Sequence, residues 1–161
     1  MLVLDHQHIQ RKILRLAHAL SAEFPNESGL MLVGIEQRGL ELAMRLSEHL
    51  NTMHFAHSVH PIRVPHAALT PEEVQWHGPL DLAGKQIVVV DDVMHSGRTM
   101  LLAVSRLLSG NPSGIRTLAL VDRQHRRYPV SCDFQGLTLA TTLHNTVEVR
   151  FSPNNDEARL V

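Results

Sequence analysis

Two adjacent carboxylates, Asp91 and Asp92, follow a continuous apolar run and precede a turn that is rich in small and hydroxyl residues. That turn, MHSGRT at residues 94–99, leads into a predicted helix. Backbone N–H groups at the start of a helix have no intrahelical partners, and the helix dipole adds partial positive charge there. The hydroxyls of Ser96 and Thr99 add hydrogen-bond donors. The turn is therefore predicted to bind phosphate.

The two carboxylates beside this turn need a partner other than the phosphate. Negative charges repel one another, so Asp91 and Asp92 should face hydroxyl groups or a cation. A ribose carries neighbouring hydroxyls close to its 5′-phosphate, so this combination predicts a ribose 5-phosphate site. A capping motif at a strand-to-helix turn is the simpler alternative, and the apolar strand before the acids favours the ligand site. The glycine and lysine spacing of a Walker A loop is absent.

The elements that must position these residues alternate between apolar strands and amphipathic helices. We predict helices over 5–23 (with Asp5 as N-cap), 39–50 and 98–108, and strands over 30–35, 53–64, 85–92, 115–122, 130–134 and 146–151. This alternation indicates an α/β fold with a mostly parallel, twisted sheet flanked by helices. Residues 152–161 are expected to be partly disordered.

Three loops of this predicted sheet carry polar residues at the same rim. Ligands of such sheets bind beyond the carboxyl ends of the strands. The sequences GIEQRG (34–39), DDVMHSGRT (91–99) and VDRQHRR (121–127) each follow a predicted strand. We therefore expect the three loops to form one site.

The composition sets the class of protein. A chain of 161 residues with 43% hydrophobic and 19% charged residues is expected to fold as a single globular domain over 1–161. A net charge of -1 does not indicate a basic protein that coats nucleic acid. The lone Cys132 excludes an intramolecular disulfide and is expected to be a small buried hydrophobe. No signal peptide and no apolar run of ~20 residues is found, so the cytoplasm is the expected location.

The residues 88–100 resemble the phosphoribosyl pyrophosphate (PRPP) signature of the type I phosphoribosyltransferases. Residues 32–50 resemble the pyrophosphate loop of these enzymes and its helix. Residues 118–136 are similar to the corresponding segment of the bifunctional pyrimidine-operon attenuators and uracil phosphoribosyltransferases. Purine salvage enzymes typically carry an aspartate in place of His95, a lysine in place of Asp122 and a metal-binding aspartate near Thr141. The pyrimidine type is therefore favoured.

The resemblance implies a type I phosphoribosyltransferase fold with a small hood built from the N- and C-terminal segments. It implies transfer of the phosphoribosyl group from PRPP to uracil, giving UMP and pyrophosphate with Mg²⁺, and binding of an mRNA leader. Two alternatives stay open: a weakly catalytic or non-catalytic nucleotide-sensing attenuator, and a transferase for another base. A homodimer or homotetramer is expected, with no membrane partner.

The resemblance also implies a role for individual residues. Asp91 and Asp92 would bind the ribose hydroxyls, with Mg²⁺ nearby on the substrate and no dedicated protein cluster. The 5′-phosphate would be held by His95, Ser96, Gly97, Arg98 and Thr99. The pyrophosphate would be held by Glu36, Gln37, Arg38 and Gly39, in a loop that often contains a non-proline cis peptide. Asp122 and Arg123 would lie near the base, and His95 is a candidate for proton transfer.

Three further features are interpreted from the residues themselves as well as from the resemblance. Residues 60–80 are expected to form a mobile loop that excludes water from the site. His54, His57 and His60 fall three apart, which in a strand points neighbours to opposite faces, so we expect ordinary surface or loop histidines rather than a metal site. Two basic clusters are either RNA contacts or solvated surface. Their members are Arg11, Lys12, Arg15 and His18, and then Arg123, His125, Arg126 and Arg127.

Overall fold

The structure is a computed structural model that describes residues 1–26, 29–140 and 145–161. Its helices are α1 (His6–Glu23), α2 (Arg38–Thr52) and α3 (Arg98–Leu108). Its strands are β1 (Leu2–Leu4), β2 (Leu30–Ile35), β3 (His57–Arg63), β4 (Gln75–Trp76), β5 (Gln86–Met94), β6 (Gly114–Asp122), β7 (Phe134–Thr138), β8 (Val147–Arg150) and β9 (Glu157–Leu160). A short 3₁₀ turn, Pro71–Glu73, precedes β4.

The main sheet has six strands in the order β4-β3-β2-β5-β6-β7. All neighbouring pairs are parallel except β3 with β4, which is antiparallel. Every residue of β2 is buried because helices cover both faces of the sheet. The predicted mostly parallel α/β sheet is confirmed.

Two apolar clusters lie on opposite faces of this sheet. One contains Leu32 and Val88 together with the buried faces of α1 and α2. The other contains the adjacent Val33 and Val89 together with the buried face of α3. Successive strand residues thus alternate between the two clusters, as the period of a β-strand requires.

The predicted helices are confirmed with small changes at their ends. Asp5 caps α1 by accepting a hydrogen bond from the His8 N–H at 2.9 Å. The helix α2 begins at Arg38 and ends at Thr52, slightly longer than predicted. The N-cap of α3 is Gly97, whose φ of 88° favours glycine.

The hood is a separate three-stranded antiparallel sheet in the order β1-β9-β8, built from both ends of the chain. The buried carboxylate of Asp156 fixes it to the helices, because it accepts hydrogen bonds from Gln10 Nε2 and Arg45 Nη1 at 2.6 Å each. The expectation that residues 152–161 are partly disordered is wrong, since β9 pairs its backbone with β1 and β8.

Two strand predictions needed correction. The strand predicted over 130–134 begins only at Phe134 and runs to Thr138. Residues 130–133 instead form a loop that is fixed by the side chain of Thr117, whose hydroxyl donates to the Ser131 carbonyl at 2.5 Å. The strand predicted over 53–64 begins at His57, because the preceding residues complete the C-terminal turn of α2.

Part of the first basic cluster covers the edge strand β7. Lys12 Nζ donates to the Gly136 carbonyl at 3.0 Å, and Arg15 Nη2 donates to the carbonyls of Gln135 and Gly136 at 3.1 and 2.9 Å. The bonds to Gly136 satisfy a carbonyl group that the open edge of the sheet leaves unpaired. Among the described helices, none is long and apolar enough to cross a membrane.

Candidate active site

The three polar loops meet at one rim of the sheet because β2, β5 and β6 are parallel neighbours. One cavity of about 390 Å³ is lined by Ile35–Arg38 and by Asp91 and Asp92. A smaller cavity of about 60 Å³ is lined by Asp91 and residues 93–100. Asp91 therefore lies at the junction of the loop after β2 and the turn before α3.

The loop after β2, residues 36–39, is pressed closely against the end of β5. The peptide bond between Glu36 and Gln37 is cis. The Glu36 N–H donates to the Ile62 carbonyl at 2.9 Å, which ties the loop to β3. A Cβ atom on Gly39 would lie 2.5 Å from the Val90 carbonyl oxygen, so only glycine allows this approach.

The two carboxylates have different surroundings. Asp91 Oδ1 accepts a hydrogen bond from the Asp92 N–H at 2.9 Å. Burial raises the pKa of the Asp91 carboxyl well above its usual range, and the adjacent Asp92 carboxylate raises it further. Asp92 Oδ2 lies 3.7 Å from Arg38 Nη1, so the second carboxylate faces the loop after β2.

The turn before α3 is fixed from behind by the loop that follows β6. The Ser96 carbonyl accepts hydrogen bonds from the N–H groups of Arg127 and Tyr128 at 2.9 and 3.2 Å. The Ser96 hydroxyl accepts from the Arg98 N–H at 3.3 Å. A Cβ atom on Gly97 would lie 2.5 Å from Val130 Cγ1, so a larger residue would disturb this packing.

The side chain of Arg98 is directed to a neighbouring segment. Its Nη2 donates to the Ala68 carbonyl at 2.5 Å, although its own backbone belongs to the turn. Thr99, one residue later in α3, is exposed. Of the five residues predicted to hold the phosphate, Arg98 therefore already uses part of its guanidinium elsewhere, whereas Thr99 is open to solvent.

The imidazole of His95 is half-buried and accepts a hydrogen bond. Arg123 Nη1 lies 3.2 Å from His95 Nδ1, and a guanidinium can only donate, so Nδ1 is the acceptor. Burial lowers the pKa of His95, and the charge of Arg123 lowers it further. The ring is therefore neutral at pH 7 and carries its proton on Nε2.

Asp122 and Arg126 form a second supporting pair. Asp122 is 6% exposed, and its Oδ1 accepts from Arg126 Nη2 at 2.7 Å and from the Gln124 N–H at 3.0 Å. The same guanidinium donates through Nη1 to the His95 carbonyl at 2.8 Å and through Nε to the Val130 carbonyl at 2.9 Å. Arg126 thus binds together the loop after β6 and the turn before α3.

The sequence did not reveal this role of Arg126, because its neighbours suggested only a basic surface cluster. No spacing rule applies in an irregular loop, so the sequence contains no signal that would have paired it with Asp122. Arg123 is 3% exposed, and its N–H donates to the Met94 carbonyl at 3.0 Å, so it too is part of the interior.

The parallel sheet, the small hood and the two polar loops around a carboxylate pair define an α/β protein with a ligand site at the carboxyl ends of its strands. The chain belongs to the phosphoribosyl transferase domain family, whose model matches residues 2–154. The resemblance predicted from residues 88–100 is thereby confirmed.

The curated relatives carry the name bifunctional protein PyrR. The one from Deinococcus radiodurans is 31% identical over 157 residues, which cover 92% of this chain and 86% of the relative. The one from Bacillus velezensis is 33% identical over 165 residues, covering 93% and 89%. The one from Thermus thermophilus is 32% identical over 169 residues, covering 98% and 92%. The predicted similarity to the pyrimidine-type members is confirmed.

Solved structures agree on the fold. The hypoxanthine phosphoribosyltransferase of Trypanosoma cruzi superimposes with a TM-score of 0.76 at 16% identity, covering 91% of this chain and 83% of that one. A hypoxanthine-guanine phosphoribosyltransferase from Bacillus anthracis gives a TM-score of 0.73 at 16% identity, covering 86% and 81%. At this identity the likeness concerns the fold alone.

Proposed function

We propose that this protein transfers the phosphoribosyl group from PRPP to uracil, giving UMP and pyrophosphate. The single observation that carries the proposal is the position of Asp91, which lines both the cavity of the loop 36–39 and that of the turn 94–99. A ligand that spans both cavities needs two anionic groups separated by a neutral, hydroxyl-bearing centre. PRPP has that composition, with its ribose between a phosphate and a pyrophosphate.

Each part of PRPP then has a partner. The ribose hydroxyls donate to the carboxylates of Asp91 and Asp92. The 5′-phosphate is held by the turn of residues 95–99, largely through backbone N–H groups. The pyrophosphate is held by residues 36–39, with Arg38 as the charged contact, since 55% of its side chain is exposed.

The base would lie near Asp122, Arg123 and His95. Since His95 Nδ1 already accepts from Arg123, its Nε2–H is fixed as a donor and suits a carbonyl oxygen of the base. This tautomer supports a role in hydrogen bonding to the base more than one as a general base. The choice of uracil rests on the resemblance of residues 118–136 and on the relatives named bifunctional protein PyrR.

The site residues fit Mg²⁺ that arrives with the substrate. Two adjacent carboxylates at the rim suit a cation that keeps phosphate oxygens and waters as its other ligands. Within residues 1–26, 29–140 and 145–161, no three His, Cys, Asp or Glu residues are grouped as a metal cage would require. Asp91 and Asp92 would lie beside the ion, which neutralises charge on the leaving pyrophosphate.

Residues 60–80 act as the segment that moves to exclude water, although β3 and β4 fix part of it to the sheet. The protein assembles as a homodimer or homotetramer. It works in the cytoplasm.

An assay of purified protein with uracil, PRPP and Mg²⁺ tests the proposal. We expect UMP, and we expect the double change Asp91→Asn and Asp92→Asn to abolish its formation. Parallel reactions with cytosine, orotate, hypoxanthine and guanine identify another base if uracil is inactive. Binding of PRPP without product from any of these bases would contradict the enzyme and favour a nucleotide-sensing regulator.

A second function, binding of an mRNA leader, is supported by the name bifunctional protein PyrR that the relatives carry and by exposed cations. Arg11, Arg15 and Arg127 are exposed on the first helix and the loop after β6. A gel-shift assay with the leader RNA of the protein's own pyrimidine genes, with and without UMP, tests it. Absence of a shift at low salt would contradict RNA binding without affecting the transferase proposal.

A further inference from the structure

The segment between β3 and β4, residues 64–74, connects the two anion-binding loops of the site. It leaves the sheet beside the loop 36–39, because β3 pairs with β2 as far as Ile62 and Ile35. Its other end packs on α3, the helix that follows the phosphate turn. Ala68 is 2% exposed and Val74 is 3% exposed, and both belong to the apolar cluster of α3.

This segment is held in shape by its own hydrogen bonds. The Ala68 N–H donates to the Pro65 carbonyl at 3.0 Å, and the Val74 N–H donates to the Pro71 carbonyl at 3.1 Å. Glu73 Oε2 accepts from the N–H groups of Leu69 and Thr70 at 2.5 and 2.8 Å. Residues 64–74 therefore form one folded unit.

Arg98 is the residue that attaches this unit to the phosphate turn. Its backbone N–H lies in the turn, whereas its guanidinium donates to the Ala68 carbonyl. The pKa of Glu73 is lowered, chiefly by the hydrogen bonds from Leu69 and Thr70 and in addition by the charge of Arg98. The cation thus donates directly to a backbone carbonyl of the segment.

We infer that Arg98 is a positioning residue for the transferase: its guanidinium fixes residues 64–74 against the phosphate turn, so that these residues stay in place to exclude water from the site. This inference rests on the proposed function.

The alternative role for Arg98 is a charged contact to the phosphate itself. The two roles predict different kinetics. Loss of a phosphate ligand weakens ground-state binding and raises the KM for PRPP with kcat unchanged. Loss of a closing segment admits water and lowers kcat, while the backbone N–H groups of the turn still hold PRPP.

Three variants separate these roles. Arg98→Met removes the donors and keeps an unbranched apolar side chain, and Arg98→Lys keeps a donor group and the charge. Arg106→Met is the matched control, since Arg106 lies on the same helix and bonds Ser109 at its C-terminal end, with Nη1 3.4 Å from Oγ. Two measurements are made on each: hydrogen exchange of the amides from Ala68 to Val74 without ligand, and steady-state kinetics.

We expect Arg98→Met to speed exchange of these amides about tenfold or more, since a hydrogen bond from a charged donor contributes about 1.5–3 kcal/mol. We expect kcat to fall about tenfold with the KM for PRPP changed less than about threefold, and Arg98→Lys to restore part of both. Arg106→Met should behave as the wild type.

Unchanged exchange in Arg98→Met would overturn the inference, and so would a raised KM with unchanged kcat. The exchange experiment needs no substrate, so it reports the attachment even if the base is not uracil. If no base yields a nucleotide, the proposed function fails. The inference is then tested by hydrogen exchange of the backbone amides with and without PRPP. PRPP should protect residues 68–74 in the wild type and should fail to protect them in Arg98→Met.

Discussion

Arg38 and Asp92 face each other across the two ligand loops, with Nη1 3.7 Å from Oδ2. The Arg38 side chain is 55% exposed and the Asp92 side chain 13% exposed, so the cation is reachable from solvent while the acid is largely covered. A pair this exposed and this far apart contributes at most about 1 kcal/mol. A charged ligand can therefore replace Asp92 as the partner of Arg38 at little cost in free energy.

Arg38→Gln is expected to weaken PRPP binding about tenfold or more, because a hydrogen bond to a charged group contributes about 1.5–3 kcal/mol. Calorimetric titration with PRPP and Mg²⁺ measures the change. Arg106→Gln is the control, as it removes the same charge far along α3. Equal affinities for Arg38→Gln and the wild type would show that the loop 36–39 does not hold the pyrophosphate.

Asp91→Asn is expected to stabilise the fold at neutral pH while it removes activity. The pKa of Asp91 is raised by burial and by Asp92, so the folded protein binds a proton more tightly than the unfolded chain does. The free energy of unfolding therefore falls as the pH rises from the pKa of Asp91 in the unfolded chain to its pKa in the folded protein. Above both values the ionised carboxylate destabilises the fold. Asparagine removes this cost.

Thermal unfolding of wild type and Asp91→Asn across pH measures the effect. The Tm of the variant should be higher at pH 8 by a few degrees, at about 2–4 °C for each kcal/mol in a chain of this size. The difference should shrink at acid pH, where the wild-type carboxyl is protonated and resembles the amide. A variant less stable than the wild type at pH 8 would contradict the raised pKa.

His95 is expected to make the fold less stable in acid. Its pKa is lowered by burial and by Arg123, so the unfolded chain takes up the proton first as the pH falls. The neutral ring contributes its stability above the pKa that His95 has in the unfolded chain. This stability is lost as the pH falls through the lower pKa of His95 in the folded protein. His95→Gln keeps an acceptor for Arg123 and lacks this titration.

Urea unfolding of both proteins between pH 7.5 and about pH 5 isolates the effect, since the other histidines are common to the two. The wild type should lose more free energy of unfolding than His95→Gln over that range. Parallel curves for the two proteins would mean that His95 titrates alike in the folded and unfolded states.

Gly39→Ala is expected to lower both stability and PRPP binding. Its Cβ atom would lie 2.5 Å from the Val90 carbonyl oxygen and 3.0 Å from Asp91 Cα, so the loop 36–39 must move away from the carboxylates. Overpacking of this kind costs about 1–3 kcal/mol. Unfolding and PRPP titration of the variant measure the two losses.

Gly84→Ala provides the comparison for this change. Gly84 has a φ of 76° and no atom within 4 Å of a Cβ, so alanine there costs about 1–2 kcal/mol of backbone strain alone. We expect it to lose stability and keep its affinity for PRPP. If Gly39→Ala also keeps its affinity, the close contact of the loop with β5 does not position the site.

The sequence by itself determined the framework of this protein. The apolar runs at 30–35, 85–92 and 115–122 predicted buried parallel strands because such strands are covered on both faces, and α3 has the predicted bounds Arg98–Leu108. The carboxyl ends of parallel strands share one rim of the sheet. The order of strands and helices along the chain was therefore enough to predict that the loops after β2, β5 and β6 meet. The family followed from residues 88–100.

Only the tertiary structure decided which side chains support the site. Arg126 holds Asp122 and the His95 carbonyl, and Arg98 holds the Ala68 carbonyl, across loops that no periodicity describes. The C-terminal strand β9 forms because β1 and β8 offer it backbone partners from both ends of the chain. Contacts between segments distant in sequence depend on how the packed core places them, and local patterns contain no record of that placement.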